Sequence, residues 1–531
     1  MLAGRVIRSL GVTLVAALLA MPFALAWAIA HAQVEDYLGP HRVTFAANYS
    51  SEIEFDLGPL GNAHLPSPAA PIGLRLVVGG VGSASGSEPA FFSTQTLASY
   101  STLYAEPDEA LAGVVERLSE DVLLQALKAE VVALLVFALW VLRRQLLAPR
   151  WVSPVSWQRI VAIYALVVAV TAGSILAPPE PRTGVRLRVA VTYGTPFDGL
   201  TVDSVLLADV LDRGIKGVRL LSSRQQKAVA SYIEAADNAV RSQVASLPAP
   251  LPGETMLLGY SDLHCNQPMT ELITRLVDVT EPAQVLSSGD DTVHGTAAER
   301  GCIRREAQIA SEPPVVVATG NHDSDTTESQ MRGQGMTVLD GAVVQSGGLT
   351  ILGDDDPERN IPFSVERVPE RPETEAQLAA RLLDTARGKE VDVLLMHQPA
   401  ASVVVMTSAN PPARLVLWGH FHSQTGPTVI SHDDGSWTVG VQQGTAGGVR
   451  QPTFTSFSTP FTPPLINADV YFYFRDEATG LITGVQPVHF KPDASVVIDQ
   501  RIQTGNLETL PAETRAKLGG ASPAPTIDGP S

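Results

Sequence analysis

Residues 315–323 read Val315-Val316-Val317-Ala318-Thr319-Gly320-Asn321-His322-Asp323, a short apolar run followed at once by a glycine and three polar side chains. The run is β-branched and preceded by Pro313-Pro314, the mark of a short buried strand, so the polar residues begin where the strand ends. Alone, Gly-Asn-His-Asp also suits a helix-capping loop. The same arrangement recurs along the chain, however. Asp262-Leu263-His264 follows the apolar run 256–260, Gly289-Asp290-Asp291 follows 284–287, Met396-His397-Gln398 closes 391–396, and Gly419-His420-Phe421-His422 follows 415–418. Apolar runs, including 349–352, alternate with helical stretches, which defines an α/β layered domain. Ligands in such folds sit beyond the carboxyl ends of strands, where loops aim several side chains at one point. Two later runs, 470–474 and 485–490, are expected to complete a second sheet. The Pro-, Ala- and Gly-containing polar tail beyond about 498 is expected to be disordered.

The five clusters offer carboxylate oxygens, imidazole nitrogens and one amide oxygen. That mixture suits Mn, Fe or Zn rather than a thiolate cluster, and using all of it takes two metals. Each cluster is weak by itself. Asp-x-His is also a turn or capping pair, and His-x-His on a strand puts both rings on one face without any ligand.

In this order the clusters D-x-H, G-D, G-N-H-D, H and G-H-x-H resemble the calcineurin-like metallophosphoesterase superfamily, over about residues 255–490. The resemblance implies a four-layer αββα metallophosphoesterase sandwich. It implies one divalent metal held by Asp262, His264 and His422, a second held by Asn321, His397 and His420, and Asp290 bridging them. His322 would stand near the leaving-group oxygen as general acid or charge stabiliser, with Asp323 orienting its imidazole. The implied substrate is a phosphate mono- or diester. Two cations held about 3.5–4 Å apart would neutralise phosphate oxygens and lower the pKa of a bridging water for in-line attack. The alternative is a non-catalytic envelope receptor or scaffold for a phosphorylated ligand. Its signature would be a lost ligand or a lost His322, and all are present. Outside the pattern, His294, His432 and His489 read as surface or hydrogen-bonded histidines, with His294 the one placed to reach substrate. Asp291 reads as loop structure or as a support for a ligand. Gly353-Asp354-Asp355-Asp356-Pro357 reads as a solvated acidic turn before proline more than as a calcium or magnesium loop.

The 531 residues allow roughly two to four domains. Only 17% are charged and 45% are hydrophobic, and a charge content below the roughly 25% usual for soluble chains points to membrane segments. A net charge of −18 disfavours polymeric DNA or RNA as a partner. Oligomeric state has no signal. Residues 10–30 carry no charge and can span a bilayer as an anchor, although Ala30-His31-Ala32 also resembles a signal-peptide cleavage site. Residues 160–177 are likewise uncharged and end at Pro178-Pro179. The run 122–142 spans if Lys128 and Glu130 lie near the interface; otherwise it is a core helix. Arg143, Arg144, Arg150 and Arg159 form an acid-free loop, which the positive-inside rule places in the cytoplasm.

The expected organisation is a signal anchor (1–32), an external β-rich domain (33–121), a span (122–142), a cytoplasmic loop (143–159) and a second internal span (160–177). An external α/β linker region (178–254), the metallophosphoesterase domain (255–497) and the tail (498–531) follow. Within the linker region, 185–192 reads as a strand and 222–244 as a helix capped by Ser222 or Ser223. This makes a multi-pass cell-membrane protein whose catalytic domain is extracytoplasmic. In that compartment Cys265 and Cys302, the only cysteines, are expected to pair.

Overall fold

The computed structural model describes residues 2–39, 41–81, 107–147, 186–195, 197–363, 366–409, 411–450 and 462–519. The chain divides into two compact units, Met1–Val81 with Leu111–Gly217, and Gly82–Ala110 with Val218–Ser531.

In the first unit the helix Leu2–His31 leads into the strand Gln33–Leu38. Alternation dictates the sheet that follows. In His41–Asn48, Val43, Phe45 and Ala47 turn inward and their neighbours outward, the period of a half-buried strand. The seven strands run in the order Gln33–Leu38, His41–Asn48, Gly73–Val81, Glu52–Asp56, Asn62–Pro66, Thr201–Val202 and Leu187–Arg188. Two strands of the expected linker region thus join the sheet of 33–81, through the pairs Ala63↔Val202 and His64↔Thr201. Val189, Leu200, Val202 and Leu207 bury that junction with Ala63. The expected strand 185–192 is shorter, Leu187–Arg188, and continues as the 3-10 turn Ala190–Thr192.

Helix Pro107–Leu147 contains the expected 122–142 segment and extends beyond it at both ends. By length and composition, Leu14–His31 and Pro107–Leu139 can each cross a membrane. The expected span 160–177 and positions 148–159 of the basic loop lie outside the described residues. The expected helix at 222–244 is Val205–Arg241. Ser204, rather than Ser222 or Ser223, caps it, accepting from the Leu207 N–H at 3.0 Å.

The second unit holds two larger sheets. In the first, Thr337–Val338, Val316–Val317, Gln284–Ser287 and Glu254–Tyr260 are parallel neighbours. Ala468–Asp476 then adds antiparallel to Glu254–Tyr260, followed by Ile482–Phe490 and Val496–Ile498. The expectation that the C-terminal strands complete a second sheet is therefore corrected: they extend the first, where Tyr473 lies opposite Leu257. The second sheet runs Val343–Ser346, Leu349–Gly353, Val391–Leu395, Ala413–Trp418, Trp437–Gln442 and Thr425–Ser431.

Strands buried on both faces read as continuous apolar runs, which is why these segments show no alternation. Leu257, Leu286, Val316, Tyr471 and Tyr473 share one core with Ile351, Val393, Leu415 and Val439 of the other sheet. Their neighbours Leu258, Tyr260, Val285, Val317 and Phe472 turn the opposite way, onto Met269, Ile273, Ile303 and Met331 of the helices. Leu352, Leu394 and Val416 meet Leu378, Leu382 and Val405 of helices Glu375–Thr385 and Pro399–Met406.

The tail is a second correction. Residues 498–519 are ordered: Leu510 and the Leu518 of helix Ala512–Gly519 are buried in the core that contains Trp437. Arg501 forks onto Glu254 at 2.6 and 2.8 Å and covers the Phe474 ring at 4.0 Å. Residues 520–531 lie outside the described residues.

Burial opposes the Glu254 charge, but Arg501, Thr483 and the Leu251 N–H lower its pKa to about 2. A depressed carboxyl contributes stability that is fully present above its unfolded value and fades as pH falls toward about 2. Arg501→Ala is expected to cost about 1–2 kcal/mol at neutral pH and to raise hydrogen exchange across 498–519. The cost should shrink in urea melts near pH 3; a pH-independent cost would contradict the ion-pair account.

Candidate metal centre

Each polar cluster sits where its strand ends, and the backbone there turns sharply. Asp262, His264, Asp290, His420 and His422 all have φ between 46° and 75°. That left-handed region costs a non-glycine residue about 1–2 kcal/mol, so the surroundings must impose it. They do so with backbone hydrogen bonds: the N–H groups of Asp262, His264 and Cys265 donate to the carbonyls of Gly289, Asp290 and Asp291 at 2.7–3.0 Å. The expected disulfide Cys265–Cys302 pins the same loop to helix Arg300–Glu306. Glycine is required where these loops meet. A Cβ on Gly320 would stand 2.3 Å from Asp290 Oδ1 and 2.8 Å from His397 Cγ. One on Gly419 would stand 2.5 Å from Asp262 Oδ2.

The loops bring two groups of donors together. Asp262, His264 and His422 form one, and Asp290, His397 and His420 the other; within each, ligating atoms lie within 4.8 Å of one another. His422 Nε2 is 3.2 Å from Asp262 Oδ1. His397 Nε2 is 3.1 Å from Asp290 Oδ2, and His264 Nε2 is 4.0 Å from the same oxygen, so Asp290 stands between the groups. Asn321, also buried, offers its Oδ1 3.5 Å from Gln398 Nε2.

The chemistry of the donors fits cations. Nδ1 of His264, His397 and His422 faces the carbonyl oxygens of Thr292, Ser288 and Val449 at 2.7–3.0 Å. An Nδ1–H donated there leaves each Nε2 with a bare lone pair, the usual orientation of a metal-ligating histidine. His264 Nε2 and His422 Nε2 face each other at 3.1 Å, a repulsive pair unless positive charge lies between them. Among the described residues Asp262 Oδ1 is buried without a hydrogen-bond partner, a costly state for an ionised carboxylate. Burial lowers His264 to about 3 and His420 to about 4, keeping both lone pairs free at neutral pH. At His397 burial opposes the charge, but the Asp290 carboxylate raises the ring to about 10. The same carboxylate would favour any cation in its place.

His322 lies at the rim of this cluster. Its backbone N–H donates to Asp290 Oδ1 at 2.8 Å, its Nδ1 faces the Val293 carbonyl at 2.7 Å, and its Nε2 meets the Asn360 side-chain amide at 2.8 Å. Asp323 does not orient the imidazole, as the resemblance implied. Its carboxylate instead accepts the backbone N–H groups of Asp290, Thr292 and Gly320 at 2.9 Å and the Thr292 hydroxyl at 2.8 Å. Buried amides of two loops need an acceptor there, and the Val293 carbonyl is free to hold the ring.

Asp291 accepts from Ser287 Oγ at 2.8 Å beside Glu306, whose carboxyl burial pushes up to about 7. His294 stacks on Phe363 at 3.7 Å. His432 bonds Thr438, and His489 sits between Asp469 and Asp499. The acidic run is neither a solvated turn nor a calcium loop. Asp354 and Asp356 are buried; Asp354 pairs with Arg381 at 2.6 Å and Arg371 at 3.3 Å, and Asp356 accepts from Gln398 at 2.6 Å. Distant arginines make an ion-pair network of what looks solvated in the sequence.

Two site-lining residues escaped the sequence reading: Asn360 and Arg367. Asn360 and Arg367 come from the hairpin Glu358–Asn360/Arg367–Pro369, and Arg367 Nη2 is 3.1 Å from His420 Nε2. Neither belongs to a motif or a periodic pattern that would have marked it.

Residues 256–424 match the family model for calcineurin-like phosphoesterase. This segment is a calcineurin-like phosphoesterase domain, of a family that normally uses divalent metals, and it supports a phosphoesterase enzyme. Similar solved structures include an archaeal phosphodiesterase (12% identity, 41% of this chain and 92% of that one, TM-score 0.24). Others are the Yfce phosphoesterase from E. coli (13%, 47% and 100%, TM-score 0.23) and a metallophosphoesterase from Sphaerobacter thermophilus (14%, 50% and 98%, TM-score 0.22). No curated protein sequence matches the chain.

Gly320→Ala should force Asp290 aside and cost about 1–3 kcal/mol as overpacking. We expect lower metal content by elemental analysis together with an earlier melt. An alanine variant with unchanged metal content and stability would show that the close approach of these loops is not required.

Proposed function

We propose that the protein is a membrane-anchored, metal-dependent hydrolase of phosphate mono- or diesters, with a four-layer αββα catalytic domain outside the cytoplasm. The observation that carries this reading is the pair of donor groups between which Asp290 stands. In it, Asp262, His264 and His422 would hold one divalent ion, Asn321, His397 and His420 would hold the other, and Asp290, standing between the groups, would bridge them. Mn, Fe or Zn suits these oxygens and imidazole nitrogens. When bound, such ions supply Lewis acidity toward phosphate oxygens and water.

The remaining steps belong to the chain's own side chains. His322, anchored through Nδ1 to the Val293 carbonyl, keeps Nε2 as the nitrogen that can stabilise or protonate the departing oxygen. Asn360 holds that nitrogen in place from the hairpin. Asp323 acts through the backbone, fixing the loops of Asp290 and Asn321 against each other.

Membrane anchoring rests on the two apolar helices and on one topological constraint. A β-sheet lies on one side of a bilayer, so pairing of Asn62–Pro66 with Thr201–Val202 requires an even number of crossings between them. Pro107–Leu139 accounts for one, and the uncharged run 160–177 supplies the return. The arginine-rich loop between them then lies in the cytoplasm, and the catalytic domain lies where a disulfide persists.

With Mn²⁺ added, the full chain in detergent should turn over p-nitrophenyl phosphate or bis-p-nitrophenyl phosphate. Asp290→Asn should lose at least about 100-fold in rate together with bound metal, since even the outer partners of metal ligands are worth 10–100-fold. Absence of turnover of both esters by metal-loaded wild type would sink the hydrolase reading. For topology, external protease is expected to remove a C-terminal tag from intact cells, and protection of the tag would overturn the three-span arrangement.

A further inference from the structure

The hairpin Glu358–Asn360/Arg367–Pro369 lies between the Asn321 and His397 clusters in sequence and carries an unusual density of arginine nearby. Most of that charge is consumed. Arg359 is buried and pairs with Glu328 at 3.2 Å and with Glu370. Arg371 pairs with Asp355 at 2.5 Å and Asp354 at 3.3 Å, and Arg381 pairs with Asp354 at 2.6 Å and Glu373 at 2.8 Å.

Arg367 differs. Its carboxylate neighbour Glu358 lies 3.7 Å away, and both side chains are about 40% exposed (41% and 43%). An exposed pair at that separation is worth little. Its Nη2 also lies 3.1 Å from His420 Nε2, on the ring whose Nδ1 is 3.3 Å from His397 Nε2, and Glu375 feels its charge. The guanidinium is thus weakly neutralised, open to solvent, and held one imidazole width from the donor cluster. His420 adds a consequence of tautomerism. An imidazole that gives its Nδ1 lone pair to a cation carries its proton on Nε2, and an Nε2–H cannot accept from arginine. A cation held at His420 Nδ1 would therefore release the guanidinium from this ring.

We propose that Arg367 binds the non-bridging oxygens of the substrate phosphate and is a specificity-determining residue that the hairpin adds to the metal centre. A guanidinium presents a planar fork of N–H donors that matches two phosphate oxygens. The inference rests on the phosphoesterase reading and assigns the residue that recognises the anion. The second hairpin strand supplies it, while the first supplies Asn360 to His322, so one hairpin serves both the anion and the leaving-group side.

The test uses the Mn²⁺-loaded full chain in detergent, with inorganic phosphate binding measured by isothermal titration calorimetry and KM measured with p-nitrophenyl phosphate. Arg367→Ala should weaken phosphate binding and raise KM by at least about tenfold, the loss of one charge-assisted interaction. Metal content should stay unchanged. Arg367→Lys, which keeps the charge and loses the fork, should fall between wild type and alanine, and it carries the test if alanine lowers the melting temperature. Arg387→Ala, an arginine on the surface with its own partner Asp384, should match wild type. Phosphate affinity and KM equal to wild type in a folded, metal-replete Arg367 variant would overturn the proposal. Wild type that neither binds phosphate nor hydrolyses ester would instead sink the phosphoesterase reading beneath it.

Discussion

Two carboxylates, Asp262 and Asp290, are buried a few ångströms from imidazole nitrogens whose other ring atoms are already engaged. Negative charge in a medium of low polarizability is tolerated only beside positive charge. This need for positive charge shapes the site around them. It accords with histidines held by backbone carbonyls, and with an Asp262 oxygen that has no hydrogen-bond partner among the described residues.

Holding such a cluster demands backbone conformations that proteins otherwise avoid. Five of its side chains stand on residues in the left-handed region, and strain of this kind persists where surroundings over-determine it. The surroundings here are strands buried on both faces, glycines that let loops approach within contact distance, and the Asp323 carboxylate tying three amides together. Stability and site geometry thus draw on the same contacts. The hairpin that carries Asn360 and Arg367 is separate: it adds side chains to the rim without contributing to the sheets.

The first unit obeys other rules. Its apolar helices expose leucines such as Leu123, Leu135 and Leu139, an arrangement unfavourable in water and natural against lipid. Its sheet is stitched from segments over a hundred residues apart, a constraint on chain crossing that hydropathy by itself does not supply.

How much of this was legible from the residues follows from the range over which each signal acts. Strand positions around 256–260, 284–287 and 413–418 are local, because burial on both faces leaves an unbroken apolar run, and the clusters after them declare themselves by residue type and order. The cysteine pair was legible too, since there was only one way to pair two cysteines. The role of Asp323, the ion pairing of Asp354, the placement of the C-terminal strands and the docking of Leu510 and Leu518 were not. Neither were Asn360 and Arg367 at the rim. Each depends on a partner brought from elsewhere in the chain, with no periodicity or motif to announce it. Residue order by itself therefore determined which polar side chains the strands deliver to one place. Folding decided what each one touches, because hydrogen bonds and ion pairs are set by distances in space that spacing along the chain does not encode.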